Sequence, residues 1–266
     1  IIIVILIICY LSFVGVKTEK FNNKIKAEVL NINTKVNLEL KSVNFLLNPL
    51  DFSINIKTFE PMLIVKNNKL NLKSIKTNIS LKSFINKEFS IDDLRISTKK
   101  IELKDVILLA RSFENSPELF ILDKITKDGH LIADIILNFD RNGKIKNNFE
   151  INGFIKSGKL ELLGNHNVSN LNLIFKIKDK EYLLKDIETE FNQIKLLSNS
   201  IKIIPKDNLF LVSGNLKNDN KDFDIKKLDT LLESTLKNFE IKDTNFSSDT
   251  NFNLIINKKL KIKNID

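Results

Sequence analysis

The 266-residue chain lacks most of the side chains from which catalytic and metal sites are built. It contains one Cys, two His, no Trp and seven Gly. A single cysteine cannot form a disulfide within the chain. Structural zinc sites use four ligands such as His and Cys, whereas His130 and His166 are far apart and have no Cys or second His nearby. We therefore expect no metal site and no cofactor, and we place each His in an exposed turn.

Signatures of enzymes are also missing. Ser112, Ser116 and Ser213 do not stand in the Gly-x-Ser-x-Gly sequence that presents a nucleophile. The glycines are scattered over predicted turns and form no phosphate-binding loop. Asp93 and Asp134 have strand-like neighbours, which favours an outward-facing position over a role as general acid or base. The sequence therefore predicts no catalytic residues and a protein that is not an enzyme.

The charge pattern argues against a nucleic-acid surface. The net charge is +9, but the basic residues are 39 Lys and only 3 Arg. Arg, rather than Lys, is suited to bidentate recognition of bases and phosphates. Lys69, Lys73 and Lys76 stand singly along a predicted strand, and Asp and Glu are interspersed elsewhere. We therefore expect a solvated outer surface and no nucleic-acid partner.

The first 16 residues form the one long run without charge. A bilayer span takes about 20 apolar residues, and the chain opens on Ile1 without an initiator Met. We therefore interpret residues 1–16 as the visible part of an uncleaved transmembrane signal anchor. A cleaved signal peptide is the alternative, but Val14-Gly15-Val16 is a poor cleavage site. Lys17 marks the exit to water, so the rest of the chain is expected on the non-cytoplasmic side.

Residues 128–163 predict an antiparallel meander with one apolar face. Alternate positions of its first strand are apolar: Leu131, Ala133, Ile135, Leu137 and Phe139. Asn142-Gly143 then favours a tight hairpin turn. The return strand repeats the apolar parity at Ile145, Phe149, Ile151 and Ile155. Ser157-Gly158 predicts a second turn, and alternation resumes at Leu171, Leu173, Phe175 and Ile177.

The remaining segments divide by periodicity. Residues 17–104 predict a first β region, which includes alternating Ile25, Ala27 and Val29 and a hairpin around Asn67-Asn68. Residues 105–126 change to helical spacing and predict a helical hairpin, whose second helix starts at Ser116-Pro117. Residues 127–222 form the central meander, 223–239 a longer helix, and 240–266 further strands. We also expect the chain to continue beyond residue 266.

The predicted fold class is therefore mainly β with a few short helices. Each apolar strand face needs a cover, because exposed apolar area costs about 25 cal/mol per Å². Three predicted helices are too few to cover every strand. Two arrangements remain open: a sandwich-like array of facing sheets, and an elongated antiparallel β-groove formed by one curled sheet. Both arrangements produce the same alternation of apolar and polar residues along each strand.

The chain resembles the AsmA-like superfamily of bacterial envelope proteins. The resemblance rests on the apolar segment 1–16, on the passage from Phe120 to Ile145, and on a loose repeat. Each copy of the repeat is a polar turn followed by Lys and alternating aliphatic residues, at 67–73, 142–146, 157–162 and 257–263. The resemblance implies a single-pass inner-membrane protein whose bulk lies in the periplasm. It further implies a repeating β-groove that carries phospholipid between inner and outer membranes and supports outer-membrane biogenesis. An outer-membrane or periplasmic protein is then an expected partner beyond the visible C-terminus.

On this hypothesis acyl chains lie on the apolar parity of the meander. The expected lining residues are Leu131, Ile135, Leu137, Phe139, Phe149, Ile151, Ile155, Leu173 and Phe175. The alternative function is an anchored β-sandwich that serves as a structural or protein-interaction module without lipid cargo.

Overall fold

The computed structural model confirms a mainly β fold. Among the residues that the structure describes, 63% lie in strands and 21% in helices, which matches the predicted class of many strands and few helices. The structure describes the following residues: 1–32, 34–65, 68–85, 91–113, 116–140, 144, 146–162, 166–218, 247–257 and 262–265.

Five helices and sixteen strands lie in this part of the chain. The helices are α1 (Ile2–Phe13), α2 (Asn22–Ile32), α3 (Leu81–Ile85), α4 (Leu103–Phe113) and α5 (Pro117–Ile125). The first eight strands are β1 (Val16–Thr18), β2 (Val36–Glu39), β3 (Ser42–Asn48), β4 (Ser53–Phe59), β5 (Met62–Val65), β6 (Asn68–Ser80), β7 (Ile91–Thr98) and β8 (Ile101–Glu102). The others are β9 (Thr126–Asn138), β10 (Glu150–Glu161), β11 (Asn167–Lys178), β12 (Glu181–Phe191), β13 (Ile194–Lys206), β14 (Leu209–Asn218), β15 (Ser248–Asn257) and β16 (Ile262–Ile265).

The strands join in one hydrogen-bonded network. The main order is β1-β3-β4-β6-β7-β9-β10-β11-β12-β13-β14-β15-β16. Strand β5 pairs with both β2 and β6, and β8 pairs with β9. The registers are antiparallel on both sides of the central strands, as in β3 with β4 and β12 with β13. The described strands thus form one continuous sheet order.

The chain divides into two compact units. The first comprises Ile1–Ile101, Asp105–Ser116 and Ile132–Asn152, and the second comprises Glu102–Lys104, Pro117–Leu131 and Gly153–Asp266. Strands β9 and β10 each contribute residues to both units.

Helix α4 closes the core of the first unit. Leu70, Leu72 and Ile101 are buried in one cluster. Its half-buried neighbours come from three strands and from α4: Leu63, Ile75, Ile96, Val106 and Leu109. Val106 and Leu109 lie three residues apart, so they share one face of the helix. The first helix predicted within residues 105–126 is therefore confirmed.

The second unit has its buried residues on successive strands. Leu173 and Phe175 of β11, Ile187 of β12 and Ile194 of β13 are all less than one-tenth exposed. Ile174 and Lys176, which alternate with the two buried residues of β11, are exposed. The predicted alternation of this strand is thus confirmed.

The prediction of a strand at Ile25, Ala27 and Val29 is wrong, because these residues lie in α2. Ile25 and Val29 are four residues apart, a spacing that suits one face of a helix as well as it suits a strand. The intervening Lys, Ala and Glu are good helix formers. At the start of α2, the side-chain amide of Asn22 donates to the backbone carbonyls of Leu40 and Lys41.

The second turn predicted at Ser157-Gly158 is also wrong, because both residues lie inside β10. Ser157 has a φ of 53°, and its N–H donates to the side-chain oxygen of Asn172 at 3.0 Å. This bond accommodates a local irregularity of the strand in place of a chain reversal. The Asn142-Gly143 turn and the helix predicted at 223–239 lie outside the described residues.

Helix α1 spans 12 residues of the predicted membrane anchor. Among the described residues, no helix combines the length and the apolar character that a bilayer crossing requires.

Candidate apolar binding face

In the first unit the antiparallel register lines up four apolar side chains and one threonine across five strands. One row follows the order Phe45, Ile56, Thr77, Leu94 and Leu137. The next row contains Ile75, Ile96 and Ile135, again as direct neighbours. Because side chains alternate across a sheet, both rows lie on the same face. We call these two rows the apolar face of the first unit.

The other side of β4, β6 and β7 is polar. Asn55 and Lys57 of β4 alternate with Ile54 and Ile56. On β6 and β7 the corresponding polar positions are Lys76, Asn78, Asp93 and Arg95. The sheet of the first unit is therefore amphipathic over β4, β6 and β7.

The apolar face is neither fully buried nor fully exposed. Ile56, Leu94, Ile96, Ile135 and Leu137 are all half-buried. Ile75 and Ile96 pack against the core that α4 covers. The structure thus places two expected lining residues, Ile135 and Leu137, on an accessible apolar surface beside Ile96 and Leu94.

The other expected lining residues of the first unit are Phe139, Phe149 and Ile151. All three are half-buried. Phe139 follows the end of β9, Phe149 precedes β10, and Ile151 lies within β10. After β9 the chain returns to the end of that strand, where the N–H of Lys146 donates to the carbonyl of Asn138 at 2.7 Å.

A similar pair of rows crosses the second unit. One row contains Phe175, Leu184, Ile201, Gly214 and Phe252. The next contains Ile177, Tyr182, Ile203, Val212 and Leu254. Gly214 fits this surface because a Cβ atom there would lie 2.7 Å from Ser200 O and 3.0 Å from Ile201 Cγ1. The glycine therefore makes room for the Ile201 side chain.

The remaining expected lining residues differ in accessibility within the second unit. Leu131 and Ile155 are half-buried. Leu173 and Phe175 are each only 8% exposed, so they belong to the unit's core more than to an open surface. Ile201, Ile203 and Phe252 are half-buried and complete the rows, although we did not predict them as lining. Their alternation is visible in the sequence, but only the strand register shows that they adjoin Phe175 and Ile177.

Two exposed ion pairs join β12 and β13 of the second unit. Lys202 Nζ lies 2.8 Å from Glu181, and Lys195 Nζ lies 2.7 Å from Glu188. The hydrogen bond to Glu188 raises the pKa of Lys195. These pairs are exposed, so they contribute little to stability.

The histidines have ordinary surroundings. Nδ1 of His166 lies 3.0 Å from the side-chain amide nitrogen of Asn192, and its ring stands 5.6 Å from the ring of Phe191. His130 is half-buried within β9, whereas His166 lies between β10 and β11 as expected but is half-buried and not exposed. Among the residues described by the structure, no group of three His, Cys, Asp or Glu is placed to hold a metal ion.

The geometry defines a class of protein: an antiparallel β-sheet protein with one apolar and one polar face. No protein family, curated protein or solved structure matches the chain.

Proposed function

We propose that this is a membrane-anchored envelope protein whose apolar β surface binds and conducts phospholipid. In this proposal the segment 1–16 holds the chain at the bacterial inner membrane, and the sheet lies in the periplasm. The phospholipid moves between inner and outer membranes, and its supply supports outer-membrane biogenesis. The resemblance to the AsmA-like superfamily motivates the choice of lipid.

The observation that supports the proposal is the accessible apolar face of the first unit. Its longer row crosses five strands, from Phe45 to Leu137. At about 4.8 Å between neighbouring strands, this row extends over roughly 19 Å. One leaflet of a bilayer has a hydrocarbon depth of about 15 Å, half of the core. An acyl chain is therefore short enough to lie along the row, and its head group would remain in water.

Contacts of this kind give weak selectivity. Burial of apolar surface is non-directional, so it rewards chain length more than chemical detail. Ile135, Leu137 and Leu94 carry no hydrogen-bonding side chains. We therefore propose binding of phospholipids as a class and not of one species.

The test is native mass spectrometry with lipid extraction on the full chain, purified in mild detergent. The test variant carries Ile135→Asp and Leu137→Asp, which place two carboxylates on the apolar face. The matched control is Ile136→Asp, on the same strand but on the polar face beside Arg95. Burying an unpaired carboxylate against an acyl chain is costly, so we expect bound phospholipid in the native chain and in the control only.

Retention of phospholipid by the folded double variant would contradict the proposal. If the native protein carries no lipid and unfolds cooperatively on heating, the alternative function of a protein-interaction module is favoured instead. Circular dichroism of each variant shows whether the sheet has formed, so loss of lipid is separable from loss of fold.

A further inference from the structure

A row of cations crosses the polar face of the first unit. Lys57 of β4 pairs with Lys76 of β6, and Lys76 pairs with Arg95 of β7. On the other side Lys57 pairs with Asn44, which pairs with Lys17 of β1. Residues directly opposite in a sheet have Cβ atoms about 5 Å apart. We call Lys57, Lys76 and Arg95 the cationic row.

Like charges that face each other across strands are destabilising, and few carboxylates offset them here. Arg95 Nε donates to Asp93 Oδ2 at 2.6 Å. The Nζ atoms of Lys17 and Lys57 lie 4.6 Å and 5.5 Å from the ring centre of Phe59. Within the described part of the chain, Lys76 has no carboxylate partner. The row therefore carries a net positive charge that an anionic ligand would neutralise.

The row lines a surface cavity of about 390 Å³. Asp93, which pairs with Arg95, lines the same cavity, as do Asn55, Asn78 and Leu46. Small-molecule sites typically measure about 300–1,000 Å³, so the space suits a group of head-group size. Ammonium, guanidinium and amide groups are all hydrogen-bond donors, and phosphate oxygens accept from each of them.

Helix α1 approaches the same side of the sheet. A second cavity of about 370 Å³ lies between α1 and β3 and is lined by Ile8 and Phe13 of the helix. Leu46 and Asn55 line both cavities, so the two spaces adjoin. From Ile2 to Leu6 every side chain of the helix is more than half exposed. A large exposed apolar surface of this kind is typical of sites that contact a membrane or another protein.

We propose that the cationic row binds the phosphate of an acidic phospholipid head group in the bilayer that α1 contacts. Because the cavities adjoin, the head group would lie at Lys57, Lys76 and Arg95, and α1 would lie among the lipids beside it. The site lies on the polar face, so it does not require that the apolar face carries lipid. It would act as a membrane-docking site that orients the first unit.

The test is flotation of the full chain with vesicles of phosphatidylcholine, with and without phosphatidylglycerol. The test variant is Lys57→Gln with Lys76→Gln, and the matched control is Lys99→Gln with Lys100→Gln. Lys99 and Lys100 are exposed and do not line either cavity. Both variants lose the same charge. Because one Lys near an anionic surface contributes about fivefold to affinity, we expect roughly a thirtyfold loss for the test variant on acidic vesicles.

The control variant should lose several-fold less, and binding to phosphatidylcholine alone should change little in either. Equal losses in both variants would overturn the proposal, because general charge attraction would then suffice. Unchanged binding in the test variant would overturn it too. If inorganic phosphate releases the chain from acidic vesicles and chloride at equal ionic strength does not, the cationic row binds free phosphate and not a lipid head group. Removing facing like charges should not lower stability, so an unfolding curve identifies any folding defect.

Discussion

Gly129 in β9 and Gly158 in β10 lie backbone to backbone. A Cβ atom on Gly129 would stand 2.7 Å from Gly158 Cα and 2.7 Å from a methyl carbon of Leu103. Gly129 also has a φ of +125°, which side chains rarely tolerate. On the same two strands Lys127 Nζ meets Glu161 at 2.7 Å. Glycine is thus required at 129 by both space and conformation.

Gly129→Ala should therefore destabilise the second unit strongly. Strain at the positive φ and overpacking each cost about 1–3 kcal/mol, so we expect a loss of roughly 2 kcal/mol or more. Gly158→Ala should cost less, because its Cβ would meet Leu171 Cβ at 3.1 Å without a positive φ. Urea unfolding followed by circular dichroism measures both. Equal losses would show that the conformation at 129 has no cost of its own.

Thr58 joins β4 to β6 through its side chain. Its Oγ1 accepts from the N–H of Ile75 at 2.9 Å, and Thr58 is only 5% exposed. Thr58→Val keeps the shape but leaves the N–H of Ile75 without its acceptor, which costs about 1–3 kcal/mol. We expect faster hydrogen exchange at the Ile75 amide in this variant.

Thr77→Val is the matched control for that substitution. Thr77 Oγ1 donates to the carbonyl of Asp93 at 2.7 Å. A carbonyl has a second lone pair, so its loss of one donor costs less than an unpaired N–H. If Thr77→Val destabilised the protein as much as Thr58→Val, the hydrogen bond to Ile75 would not be the cause.

Glu161 should titrate below its ordinary value of 4.5. The hydrogen bond from Lys127, followed by its positive charge, lowers the pKa of the Glu161 carboxyl. A depressed folded pKa contributes stability above pH 4.5, and that contribution disappears as the pH falls through the folded pKa. Lys127→Ala should raise the pKa of Glu161 towards 4.5, whereas Lys127→Arg should keep it low. Carboxyl-carbon NMR titration measures this, and an unchanged pKa in Lys127→Ala would exclude the ion pair as the cause.

The sequence predicts elements better than it predicts neighbours. The alternation around Leu173 and Phe175 identified a strand with one buried side, and Pro117 marked the first residue of α5. These signals are local, since a strand repeats every two residues and proline suits the first turn of a helix. Ile25 and Val29 were misassigned because their spacing suits both kinds of element.

The register between neighbouring strands could not be predicted from the sequence. Lys57 and Lys76 are separated along the chain by strand β5, yet they are direct neighbours because β6 is long enough to pair with both β5 and β4. Ser157-Gly158 reads as a turn in the sequence, but the glycine at 158 allows the backbone of Gly129 to approach. The expected lining residues were chosen only because apolar residues alternate along the strands. This alternation does not show that Leu173 and Phe175 are more buried than Ile135 and Leu137.

Phe175 and Ile174 provide a direct test of the buried side of β11. They are consecutive, yet Phe175 is 8% exposed and Ile174 is 49% exposed. Phe175→Ala should cost about 3–5 kcal/mol, since it removes a buried ring and leaves a cavity. Ile174→Ala should cost under about 1 kcal/mol, because half of its side chain already meets water. Urea unfolding of the two variants measures the difference, and similar losses would mean that β11 does not bury one side in preference to the other.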